Sequence, residues 1–266
     1  MSAFVHHLSY DFKTGIRDRS KLLMFYLFPF VFFFVVGGFM TQINPGFKQT
    51  MIPGMILFAF MSSVLLSLPS GLVQARESGV FRSYRINGVP SGSVMAIPVI
   101  GAGVHMAVVA VVISLAGARL YGGAAPSNVA GFVAAAILSY LTYAGLGVLI
   151  GVAAGNANVS ILVSQLLYIP SILLGGIMVP ASVMPRAFQR IGLLLPASHA
   201  MRVFTGLAYG GAAPWGSLAV LGASVVLSFV LAATLFEWDS RAAQPSRKAY
   251  AAILVVLPYA VSAVIG

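Results

Sequence analysis

The chain has 266 residues, 59% of them apolar and 8% charged, with a formal net charge of +10 and no cysteine. An ordinary soluble domain carries about a quarter of its residues as charges, so a surface this poor in charge suits hydrocarbon rather than water. The missing cysteine excludes a disulfide framework and a thiolate metal site, and the length allows about six or seven spans, because a crossing helix needs about 20 apolar residues.

In chain order, Phe4, Val5, Leu8, Phe12 and Ile16 recur at helical spacing among the charged Asp11, Lys13, Arg17, Asp18, Arg19 and Lys21. Residues 1–21 therefore predict an amphipathic helix at the membrane interface. Residues 22–43 form the first strongly apolar run, too long for a secretory signal and without its small-residue cleavage site, so a retained span is expected. Further spans are predicted at 51–73, 94–115, 129–153, 161–179 and 218–236, each bounded by Gly, Pro, Asn or charge. The last apolar run, 249–265, contains Pro258 and sits near the lower length limit, which fits either a seventh crossing or a tilted interfacial segment. The expected fold class is all-α, a single polytopic transmembrane domain over residues 1–266.

Lysine and arginine in short loops favour the cytoplasm. With the amino terminus inside, the inner segments hold Lys13, Arg17, Arg19, Lys21, Arg76, Arg82, Arg85, Arg241, Arg247 and Lys248, leaving Lys48, Arg119, Arg186, Arg190 and Arg202 outside. This distribution, ten against five, supports a multi-pass protein of the cell membrane, the inner one where there are two, with a cytoplasmic amino terminus. The positive charge follows topology, so no nucleic-acid partner is expected.

Several chemistries have no residues to carry them. None of the four lysines follows a glycine, so there is no GxxxxGK[ST] phosphate loop, and no HExxH occurs. His6, His7, His105 and His199 are not spaced as metal ligands with carboxylates nearby. No Asp or Glu falls within an apolar run, which argues against proton or sodium coupling and against a catalytic triad in the membrane. His105 alone sits inside a predicted span, where it reads as a helix-packing residue or a proton relay. Gly147, Gly151 and Gly155 form a GxxxGxxxG face that suits close helix packing, within the chain or between copies.

Two constellations remain. Between the second and third spans lies QARESGVFRSYRINGVPSG, residues 74–92, where charge, glycine and aromatic residues concentrate. Its middle predicts a short helix with Gly88 as a stop and Pro90 beyond it, carrying Phe81, Tyr84 and Ile86 as apolar surface and Arg82 and Arg85 on one side. A solvated positive-inside loop would explain the arginines but not the aromatics. The second constellation, residues 175–202, is too broken by Pro180, Pro185 and Pro196 for one span and too apolar for an ordinary loop. It fits two short helices dipping partway into the outer leaflet, or an amphipathic helix lying flat.

Together these stretches resemble the type-2 family of ATP-binding-cassette (ABC) exporter permeases, over residues 1 to about 239. ARESGVFRSYRINGVP is similar to that family's E-R-E-x-G-T-(x)n-P coupling segment, with Glu77, Ser78 and Gly79 matching. VMPRAFQRIGLLLPASHAMR is similar to its LP-x-x-L-x-x-(x)n-NP-L-(T/S)-(Y/H) hairpin, with Pro196, Ser198 and His199 matching. Val80 departs from the family's frequent threonine, and residues 249–265 go beyond its six spans. The resemblance implies an amino-terminal interfacial helix, a cytoplasmic coupling helix, a re-entrant hairpin at 180–202, and two permease units working with two separate ABC ATPase subunits.

On that basis the chain is expected to be the non-enzymatic permease of an ATP-driven exporter, with ATP and Mg held by the partner subunit and no cofactor of its own. Its partner-coupling residues would be Arg76, Glu77, Ser78, Gly79, Phe81, Arg82, Tyr84, Arg85 and Gly88. A path at the interface with a second permease chain, a homodimer, would be lined by Phe25, Phe28, Phe32, Phe58, Tyr168, Met178 and His199. Such an aromatic lining suits an amphipathic, drug-like or lipid-like cargo. The alternative is an ATP-independent secondary carrier or channel.

Overall fold

The computed structural model describes residues 8–9, 12–13, 15–239 and 247–265, and their regular elements are all helical. Among these described residues, six helices are long and apolar enough to cross a membrane: α1 (Arg19–Ile43), α2 (Phe47–Glu77), α4 (Ser91–Tyr121), α5 (Val129–Ala153), α6 (Ala157–Leu174) and α9 (Trp215–Leu235). A short helix α3 (Val80–Ile86) separates α2 from α4. Between α6 and α9, α7 (Arg186–Gly192) and α8 (Pro196–Ala208) meet at 94°. A 3-10 segment (Arg247–Val256) leads into α10 (Leu257–Ile265), and together they form a shorter apolar helix. Of the amino-terminal amphipathic stretch, Phe4, Val5 and Asp11 lie outside the described residues, as does Arg241.

The local causes of these elements are legible. Asp18 caps α1 by accepting from the N–H groups of Ser20 (2.9 Å) and Lys21 (3.2 Å), which draws the charged Arg19 and Lys21 into the first turn. Asn128 and Asn156 cap α5 and α6 in the same way, accepting from Gly131 N–H (3.0 Å) and Val159 N–H (2.9 Å). Prolines bend the bundle without breaking it. A π-helical turn at Leu23–Leu27 precedes Pro29, and another at Met61–Leu65 precedes Pro69. Proline donates no N–H and its ring crowds the carbonyl four residues back, and a widened turn upstream relieves that contact.

Helix α2 is the centre of the molecule: 89% of its apolar window is enclosed by other helices, against 22% for α6 and for α9. Apolar attraction between helices is weak in lipid, so close backbone approach has to hold such a bundle. Gly147 and Gly151 of α5 supply it. A Cβ at Gly147 would lie 3.2 Å from the carbonyl oxygen of Val64, and one at Gly151 would lie 3.0 Å from Cα of Pro69. This glycine face therefore packs on α2 within the chain.

The helix order places α3, the α5–α6 turn and the residues after α9 at one end of the bundle. The α1–α2, α4–α5 and α8–α9 connections lie at the other.

Candidate functional site

Helix α3 is set off by two glycines in the left-handed region, Gly79 (φ +80°) before it and Gly88 (φ +71°) after it. Such angles suit residues without a Cβ, so the chain can turn sharply on both sides of a helix only seven residues long. Its inner side is fixed to the end of α9. Phe81 is buried, with its ring 5.5 Å from that of Phe236, and Trp238 meets Phe236 edge-on at 5.0 Å. Arg82 donates from Nε to Asp239 Oδ1 at 3.0 Å, and Arg85 approaches Asp239 Oδ2 at 3.7 Å. Tyr84 is half-buried.

The opposite side is open. Glu77, Ser78, Gly79, Val80, Ser83, Asn87 and Gly88 are exposed, and at the tip Ile86 is 78% exposed. The nine residues expected to couple to a partner thus divide. Arg82 and Arg85 are exposed but held by Asp239, while Arg76 and Phe81 face the bundle. The reason for Phe81 is its apolar ring, whose burial stabilises by about 1.5–3 kcal/mol.

Arg76 turns inward for a different reason. Its guanidinium donates from Nη1 to the carbonyl of Val152 (2.9 Å) and from Nη2 to that of Ala154. These carbonyls close α5, where a helix leaves its last acceptors without N–H partners and carries partial negative charge.

Among the residues expected to line a path, four come together. Phe32 stacks on Phe58 with ring centres 3.5 Å apart and planes 6° from parallel. Phe28 lies 5.6 Å and Tyr168 6.1 Å from the same Phe58 ring. One aromatic row thereby joins α1, α2 and α6, running from buried Phe58 out to exposed Phe28. Phe25 belongs elsewhere. It packs on His105 at 5.5 Å, beside Phe12, which stacks on the same imidazole at 5.1 Å. The hydroxyl of Tyr26 shares a 2.6 Å hydrogen bond with His105 Nδ1, so this histidine ties α1 to α4.

Met178 is half-buried beyond α6. His199 is buried at 1% exposure, and both its nitrogens are engaged, Nδ1 with Ser217 Oγ (3.1 Å) and Nε2 with the carbonyl of Leu193 (2.9 Å). It joins the α7–α8 bend to α9 and stands apart from the aromatic row.

Asp239 and two backbone carbonyls stand outside the set expected from sequence. Asp239 is one of only five carboxylates in the chain, and that scarcity was a usable signal. Ile86 was expected as apolar surface of the short helix but not among its coupling residues. The carbonyls of Val152 and Ala154 are backbone and carry no sequence signal.

Six long apolar helices among the described residues, one of them enclosed by the others, with a short helix braced at one end, define a polytopic all-α membrane protein. The chain belongs to the ABC-2 type transporter family, whose sequence model matches residues 3–209. It is 26% identical over 232 residues to a protein of Bacillus subtilis (strain 168) named "Putative transport permease YvfS", a match covering 83% of this chain and 91% of that protein. No solved structure gives a significant match. Membership in this family implies an ABC ATPase as partner in general.

Proposed function

We propose that the chain is the translocating subunit of an ATP-driven exporter in the cell membrane, with α3 as the cytoplasmic coupling helix on which a partner ATPase seats. The observation that carries this reading is the exposed Ile86 at the tip of a helix whose back is fastened by Phe81 and Asp239. A large apolar side chain held out on a rigid support suits insertion into a groove of a soluble protein, and such anchors dominate docking energies. With no phosphate loop here, ATP and Mg belong to the partner, two copies of which would serve two permease chains.

The cargo path is assigned to a homodimer interface built from the lipid-facing sides of α1 and α6. Val31, Val35 and Phe39 of α1 and Leu162, Leu166 and Leu173 of α6 are exposed, and the row Phe28, Phe32, Phe58 and Tyr168 lies between those helices. Such a lining favours amphipathic or lipid-like cargo. The α7–α8 bend is assigned as a re-entrant hairpin entered from outside. Leu193 and Leu195 at the bend are buried, Ser198 Oγ donates to the carbonyl of Leu174 at the end of α6 (3.4 Å), and Leu194 and Pro196 border a groove lined by Leu146 of α5 and Leu167 of α6, within the length of both helices. Non-helical backbone at that depth is tolerated where protein encloses it.

The test is reconstitution of the chain with the ABC ATPase that copurifies with it. ATP hydrolysis by that subunit should depend on the permease, and Ile86→Asp should weaken assembly by about 30-fold, as expected of an interface anchor worth about 2 kcal/mol. Unaltered assembly of Ile86→Asp would remove α3 as the docking element.

A further inference from the structure

Helix α3 is joined covalently to α2 and α4, and at its base the buried Arg76, near the end of α2, makes a tie across to α5. Arg76, two residues before the turn into α3, reaches sideways to Val152 and Ala154. Ala154 is the first residue past α5, and Asn156 already caps α6, so the connection that Arg76 grips consists of residues 154–156 alone. A turn so short passes any displacement of Ala154 directly to the first turn of α6.

The chemistry of the grip is specific. Arg76 is 8% exposed, and a buried cation is tolerated only when its donors are satisfied. The planar guanidinium holds two carbonyls at once and opposes the partial negative charge of the α5 terminus, which a lysine ammonium would match with a single point contact. Its neighbour Glu77 is exposed, so adjacent positions face opposite ways, one toward water and one toward α5. A residue that served only to keep the loop positive would not need burial.

We propose that Arg76 is a positioning residue that carries displacement of α3 into the α5–α6 turn and so to α6, rather than a contact for the partner. This rests on the reading of α3 as the docking helix, and the two are separable by experiment. The chain contains no cysteine, so single reporters can be introduced cleanly. Ser83→Cys on α3 and Asn158→Cys on the first turn of α6 are both exposed and lie outside the contacts of Arg76.

Each carries a nitroxide label in the reconstituted complex, and spectra are compared before and after Mg-ATP with vanadate. With Arg76 intact, both labels should respond. Arg76→Met should leave the Ser83 response in place and reduce the Asn158 response by about fivefold or more, the low end of couplings carried by one network. Arg76→Lys should fall between. An Asn158 response undiminished in Arg76→Met would overturn the proposal and leave Arg76 a static anchor. Should Arg76→Met fail to accumulate, Arg76→Lys decides, and an undiminished response there overturns it equally. A silent Ser83 label in the native chain would sink the docking reading first, and this one with it.

Discussion

At the scale of single residues, side chains of one short segment serve opposite ends, and their energies should separate accordingly. Phe81 is enclosed beside the Phe236 ring after α9, whereas the Arg82–Asp239 pair meets water, with Arg82 largely exposed and Asp239 about half so. Phe81→Ala should therefore cost about 3 kcal/mol, seen as a lower melting midpoint of the solubilised protein. Arg82→Ala should cost less than about 1 kcal/mol in the same measurement, because solvent screens an exposed pair. Equal shifts would mean that charge, not packing, holds α3. The sequence showed that aromatic and basic residues gather here. It could not show which of them turn inward, because α3 is too short for its periodicity to define a face, and its partner side chains, Phe236 and Asp239, come from the far end of the chain.

At the scale of elements, the glycine face of α5 brings its backbone close against α2. Gly151→Leu places a side chain against Pro69 and Leu72 of α2, while Gly155→Leu meets open space. The first should abolish a monodisperse peak in size-exclusion chromatography and the second should leave it intact; tolerance of both would show that α5 and α2 do not depend on this approach. The six long apolar helices were legible because hydrocarbon imposes its length on sequence. Less legible were the π-helical turns ahead of Pro29 and Pro69, since proline marks a perturbation without saying how the helix absorbs it. The two roles left open for His105 had a similar cause. Its hydrogen bond to Tyr26 and its stacking on Phe12 cross between helices, and no local pattern reports such a contact.

At the scale of the whole molecule, orientation and partnership follow from which end carries α3. In the cysteine-free chain, Ser83→Cys should react with a membrane-impermeant maleimide only from the cytoplasmic side, and Ala125→Cys, on the α4–α5 connection, only from outside. The reverse pattern would invert the topology and place α3 beyond the reach of any ATPase. Of the residues assigned to a path, the row from Phe28 to Tyr168 is one spatial unit, while Phe25 and His199 belong to separate packing clusters. Sequence could rank them only by residue type and span, since their grouping depends on how α1 and α6 turn about α2. Presentation of Ile86 by α3 to a partner ATPase is tested by a photoactivatable amino acid at position 86 in membranes that contain both subunits. Irradiation should yield an adduct of permease plus ATPase from position 86 and none from position 125. No adduct from position 86, or equal adducts from both, would rule out α3 as the docking helix.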